Sequence, residues 1–331
     1  MTARSYLLGR ESSGYADLKR RLAQGSVLLL DGAVGTELQA LGVPIGPTAW
    51  AAVALDSHPD TVRFLHESYI RAGVDIITTN TYSAARHCFE PLGMGHLTRE
   101  LNLRAVELVM RARDRVAGNQ AVYVAGSVSN FGMMAGGEEL PEKLDGKWGD
   151  YTETALRRNL HEQAQILVDG GVDFLLVEST GSVKQRQWVL EACLATGHPT
   201  WLGTKCRLES GGVFGGYQEN LRYEEGLEEV LPKGADLVSI FHSTVEATSA
   251  AIPLLREKWN GPIAVYPDAA RQDYVDRQQN AQETTHTSPD EFVDLAKEWV
   301  AAGAQVIGGC CGFGLDYIRP LREALPEKLS Q

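Results

Sequence analysis

The segment Gly308-Gly309-Cys310-Cys311-Gly312 sets two thiols side by side between glycines. Glycine tolerates backbone angles that other residues avoid, so both sulfurs can be brought to one point. Thiolates are soft ligands, and a pair of them selects zinc or a similar metal. Two plainer states are open to the same pair, buried apolar thiols or a vicinal disulfide. With Cys88, Cys193 and Cys206 the chain has five cysteines. An odd number without framework spacing points to a reducing compartment, and the expected location is cytoplasmic.

Adjacent thiols do chemistry only where a fold aims them. Short apolar, β-rich runs bounded by turn residues occupy 26–33, 75–82, 121–128, 174–180, 200–206, 236–243, 263–269 and 304–311. Between them 62–72, 101–116, 154–169 and 292–302 carry apolar residues at helical spacing. Near-continuous apolar strands alternating with amphipathic helices make a parallel sheet covered on its outside. Eight such units predict a closed α/β architecture, the (β/α)8 TIM barrel. Helices ending in Ala72-Gly73, Gly170-Gly171, Lys233-Gly234 and Ala302-Gly303 repeat one signal, a glycine at the left-handed C-cap.

A barrel presents its chemistry at the C-terminal ends of its strands. The polar residues expected there are Asp31, Thr79, Asn80, Ser127, Glu178, Cys206, His242, Asp268, Cys310 and Cys311. Helix capping accounts for some of these. It does not account for adjacent cysteines on one strand and a histidine on another. The irregular stretches 128–150 and 207–222 each follow a strand end and are expected as loops over the site.

The bulk properties exclude several classes. A chain of 331 residues, 44% hydrophobic and 22% charged, is an ordinary globular composition, read as one domain spanning 1–331. Its net charge of −12, with no Lys/Arg cluster, argues against nucleic acid or an anionic membrane as partner. The run Tyr6-Leu7-Leu8 is too short for a signal-peptide core or a membrane span. Nothing in the sequence specifies an oligomeric state.

Four segments resemble the homocysteine S-methyltransferases, which include betaine–homocysteine methyltransferase and the homocysteine-binding module of cobalamin-dependent methionine synthase. They are LLLDGAVGTEL (28–38), AGVDIITTNTY (72–82), GGVDFLLVEST (170–180) and GAQVIGGCCG (303–312), within a resemblance running from about residue 26 to about residue 323. It implies a Zn2+-containing barrel enzyme that moves a methyl group onto a thiol, usually homocysteine, as in methionine biosynthesis. A zinc with three protein ligands keeps one position open, and a substrate thiol bound there loses its proton. Carried over by motif position, Asp31 and Glu178 grip the substrate amino group. The backbone N–H groups around Gly32-Ala33 take its carboxylate, and Thr79 and Asn80 line the pocket.

The chain departs from the family pattern at three places around this mouth. The family's third zinc ligand is a cysteine in a pattern like Gly-Val-Asn-Cys. Here Ser239-Ile240-Phe241-His242 stands in its place, making His242 the expected third metal ligand beside Cys310 and Cys311, with Cys206 as the alternative. The pattern Gly-Pro-Tyr-Gly is Ser129-Asn130-Phe131-Gly132, and Pro-Asn is Pro267-Asp268. Asp268 is expected to face a cationic methyl donor or an amino-bearing substrate. The expected partners are thus a small-molecule thiol and an onium methyl donor such as S-methylmethionine or a betaine. Two other readings stay open: a zinc hydrolase or lyase on the same barrel, and a non-catalytic ligand-binding relative.

Overall fold

The computed structural model describes residues 12–133, 151–216, 220–269 and 287–329. Most of the loop expected at 128–150 therefore lies outside the described residues, as do 217–219 of the second loop.

Eight parallel strands form the sheet: β1 (Leu28–Leu29), β2 (Ile76–Thr78), β3 (Tyr123–Ser129), β4 (Phe174–Ser179), β5 (Thr200–Thr204), β8 (Leu237–Phe241), β9 (Ile263–Tyr266) and β10 (Ala304–Ile307). Strands β1 and β10 pair in register Leu28↔Val306, and the bridge Leu30↔Ile76 brings β1 back to β2 to close the circle. These strands match the eight apolar runs, each shorter than its run because the polar ends curl into loops. The helices Pro59–Arg71, Thr98–Val116, Glu153–Gly170 and Pro289–Ala301 cover the outside where helical spacing predicts them. Gly73, Gly171, Gly234 and Gly303 all have positive φ, at 93°, 92°, 92° and 96°; Gly171 is the left-handed cap read from the repeat, whereas Gly234, at ψ 127°, ends a 3-10 turn in another conformation.

Alternate strand residues divide the core in two. Phe174, Leu176, Ala264, Tyr266 and Val306 fill the barrel interior, whereas Leu175, Val177, Ile263, Val265 and Ile307 pack against the helices. The interior is plugged from below by the helix Ser13–Ala23, whose Tyr15, Leu18 and Leu22 join the inner cluster. Ser12 caps that helix, and Trp201 Nε1 donates to the Tyr15 hydroxyl at 3.2 Å. One end of the barrel is thereby shut, and the chemistry is confined to the other.

The second expected loop is in part regular. Strands β6 (Cys206–Glu209) and β7 (Gly212–Gly215) pair antiparallel as a hairpin directly after β5. Its glycines hide it from a search for apolar runs. Among the described residues, no helix is long and apolar enough to cross a membrane.

Candidate active site and metal centre

At the open end a cavity of about 280 Å³ is lined by residues from the loops after β1, β2, β3, β8 and β10. One wall is the cysteine pair. Gly308 N–H donates to Val265 O at 3.0 Å and Cys310 N–H to Pro267 O at 2.7 Å, which fixes the turn that carries both thiols. The glycines serve by smallness more than by unusual angles. A Cβ on Gly308 would meet Leu30 Cβ at 2.7 Å, and one on Gly309 would collide with Phe313, while only Gly312 (φ 81°) is left-handed.

His242, just beyond β8, points its Nδ1 at the same place, 3.5 Å from Cys310 Sγ and 3.8 Å from Cys311 Sγ. Asp268, two residues after β9, places Oδ1 2.8 Å from that Nδ1 and accepts from the Cys311 N–H at 3.1 Å. Potential ligand atoms of these four residues lie within 4.8 Å of one another. Hydrogen bonding from Cys310 draws the Cys311 thiol down to about 6 despite burial, and the same contact pushes Cys310 well up. Burial opposes charge on His242, yet the Asp268 carboxylate outweighs it and lifts the imidazole to about 9. Two soft sulfurs, an imidazole and a carboxylate held this close fit a divalent metal of zinc's class. Asp268 does not line the cavity; it stands behind His242 and Cys311.

The cavity also carries two carboxyls, Asp31 just after β1 beside the cysteine loop and Glu178 on β4. Asp31 is 2% exposed, with Oδ2 accepting from Thr78 N–H at 2.7 Å and Oδ1 from the Thr78 hydroxyl at 2.9 Å. Burial pushes its carboxyl up to about 8, and nearby Glu178 adds to the shift. Glu178 accepts from the Ser127 hydroxyl, and burial raises it to about 7. Two buried carboxyls facing one cavity are suited to an ammonium group, whose arrival favours their charged forms.

Gly32, Ala33, Thr79 and Asn80 also line the cavity. The Ala33 N–H, however, donates to Phe313 O at 3.0 Å and so is already committed. Thr79 Oγ1 pairs with Thr81 Oγ1 at 2.7 Å, and Asn80 Nδ2 donates to Ala51 O at 2.9 Å. Cys206 lies outside the cluster: its Sγ contacts Ser243 Oγ and Ala247 O, both at 3.5 Å, in a buried position that raises the thiol to about 11.

Sequence reasoning gives no role to the aromatic rings that complete the cavity. Trp50 lies 6.1 Å from Tyr82 and 6.2 Å from Phe131, with Tyr82 and Phe131 5.4 Å apart. Tyr82 ends the second apolar run and Phe131 follows the third, so their place at strand ends is a usable signal; Trp50 lies in no strand. Trp50 (φ 35°) and His242 (φ 46°) are the non-glycine residues with positive φ among those described. Such conformations cost about 1–3 kcal/mol each and collect at functional sites.

A closed parallel barrel whose strand ends gather thiols, imidazole and carboxylates beside a cavity defines a barrel protein with a candidate metal centre. Residues 28–325 match the family model described as homocysteine S-methyltransferase. The chain belongs to that family, and it is an S-methyltransferase. It is 29% identical to the homocysteine S-methyltransferase of Escherichia coli (strain K12), over 89% of this chain and 94% of that protein. The selenocysteine methyltransferase of Astragalus bisulcatus is 28% identical, covering 91% and 93%. Among solved structures, the metallated homocysteine methyltransferase MmuM from Escherichia coli matches with a TM-score of 0.70 and 25% identity, covering 92% of this chain and 99% of that one.

Proposed function

We propose that this protein transfers a methyl group from a small sulfonium or quaternary ammonium donor to the thiol of homocysteine, or to the selenol of an analogue such as selenocysteine, at a zinc centre held by His242, Cys310 and Cys311. The observation that carries the reading is convergence: two thiols and an imidazole line a cavity that two buried carboxyls and an aromatic cluster also line. Bound zinc supplies Lewis acidity that lowers the pKa of an acceptor thiol.

The chain's own residues do the rest. Asp31 and Glu178 hold the acceptor's ammonium, which fixes the direction in which its thiol reaches toward Cys310 and Cys311. The faces of Trp50, Tyr82 and Phe131 suit an onium cation, which is attracted to aromatic rings without needing a counter-ion. With donor and acceptor side by side, the acceptor sulfur forms a bond to the methyl carbon. The bond from that carbon to the donor's sulfonium or ammonium atom breaks, its electron pair stays on that atom as a neutral thioether or tertiary amine, and the proton of the acceptor thiol, lost before the transfer, ends in solvent. The largely apolar lining excludes water from this step.

We read 1–331 as one catalytic domain, because the barrel strands span Leu28 to Ile307. Its free thiols suit a reducing, cytoplasmic setting. The test pairs metal analysis with an assay of S-methylmethionine and glycine betaine against homocysteine and selenocysteine, followed by mass spectrometry. Methylated acceptor with stoichiometric zinc is expected. His242→Ala is expected to lose both, and undiminished zinc in that variant would remove His242 from the ligand set.

A further inference from the structure

The residue that bears the imidazole is held in a backbone conformation that needs support. His242 is left-handed at φ 46° without being glycine, and the turn it shares with Ser243 is tied down at nearly every polar group. His242 N–H donates to Tyr266 O at 3.2 Å, and Ser243 O accepts from Asp268 N–H at 2.8 Å. Ser243 Oγ accepts from Cys206 N–H at 2.9 Å and donates to Phe241 O at 2.9 Å. The remaining carbonyl, that of His242, accepts from the Lys205 ammonium.

Lys205 is only 7% exposed, lines no part of the cavity, and lies within electrostatic reach of Asp268, Cys310 and Cys311. A buried ammonium is costly unless its surroundings repay it. Here the repayment is a carbonyl aimed at it and the acidic donor cluster beyond. Lys205 and Cys206 form the corner where β5 gives way to the β6–β7 hairpin, so two successive residues of one corner grip two successive residues of the other.

We infer that Lys205 is a positioning residue for the metal centre: it holds the His242 carbonyl and so keeps the His242 imidazole aimed at Cys310 and Cys311. The inference rests on the reading of His242 as a metal ligand. Lys205 is neither among the residues that line the cavity nor among the candidate metal ligands. Partners that orient a ligand without binding the metal change metal affinity by about 10- to 100-fold when removed.

The experiment measures zinc affinity by competition with a chromophoric chelator, and the visible absorption of the cobalt-substituted protein, for wild type, Lys205→Met and Lys205→Arg. Lys205→Met fills the same space without charge or donor and is expected to bind zinc about 10- to 100-fold more weakly, with shifted cobalt bands. Lys205→Arg is expected to recover most of the affinity. The thermal midpoint of the metal-free protein separates positioning from general destabilisation. A fall in that midpoint with unaltered cobalt bands would make Lys205 merely structural. Zinc affinity within about twofold of wild type in Lys205→Met would overturn the inference, as would Arg failing to rescue a weakened site. If Lys205→Met does not fold, Lys205→Gln enters the same comparison under the same criteria. Wild type that binds no zinc defeats the metal-centre reading and this one together; wild type that binds tightly beside an indifferent Lys205→Met defeats this one alone.

Discussion

Asp31 and Glu178 are both buried, both line the cavity and both are raised, to about 8 and about 7, chiefly by burial. A carboxyl near 3.9 in the unfolded chain and near 8 in the folded one keeps its proton in the folded state over that whole interval. Its stabilising contribution is therefore complete below about pH 4 and is lost as pH rises through about 8. Asp31→Asn removes that loss while keeping the geometry, since an amide oxygen can accept from Thr78 N–H and the amide nitrogen can donate to the Thr78 hydroxyl. The metal-free variant is expected to melt above wild type at pH 9, by a smaller margin at pH 5, and level with it only near pH 4, read by calorimetry. It should also lower kcat/KM for the acceptor about 10- to 100-fold, the worth of a charged hydrogen bond of about 1.5–3 kcal/mol. Asp31, Glu178 and the cysteine pair were legible in the sequence because each sits in a motif at the end of an apolar run. The tie from Asp268 to His242 was not, since it joins residues 26 apart through a side-chain contact that no local pattern encodes.

Trp50 reaches the cavity from a segment between the first helix after β1 and the 3-10 turn Ala51–Val53, and that segment is pinned from the loop after β2. Asn80 donates to Ala51 O at 2.9 Å and Ser83 to Ala49 O at 2.8 Å, the carbonyls of the residues that flank Trp50 in the chain. The family motif marks Asn80 as a pocket residue; the geometry makes it a clamp whose effect passes through Trp50. Asn80→Ala leaves the buried Ala51 carbonyl without its amide, a loss of about 1–3 kcal/mol, and releases the positive-φ Trp50 backbone. The expected outcome is a KM for the onium donor raised roughly tenfold or more, with acceptor KM changed far less, and altered tryptophan fluorescence. Equal changes in both constants would mean that Asn80 serves the pocket generally. Helices and strands of strong periodicity were readable here. The β6–β7 hairpin was not, because two four-residue strands, one with charged residues and one flanked by glycines, carry no apolar run and are stabilised by the helices they fold onto.

The barrel separates what holds it together from what it does. Its inner core runs from the plug helix Ser13–Ala23 up to Phe241 and Tyr266, and the donors and carboxyls begin where that core ends. Eight strand–helix units were visible in the sequence because each must bury both faces, and burial writes itself as an apolar run. The plug was not assigned, although Tyr15, Leu18 and Leu22 show helical spacing, because three apolar positions among charged neighbours do not announce which face they cover. Leu18 is wholly buried in the inner cluster, so Leu18→Ala removes a side chain whose space the surrounding rings cannot readily refill. The expected cost is about 2–5 kcal/mol of unfolding free energy. If stability and chemistry occupy opposite ends, that loss should appear in the denaturation midpoint and leave donor and acceptor KM and zinc affinity at wild-type values below the melting range. A Leu18→Ala protein that melts lower and also loses zinc would mean the strands transmit strain from plug to metal centre. The independence of the two barrel ends would then have to be abandoned.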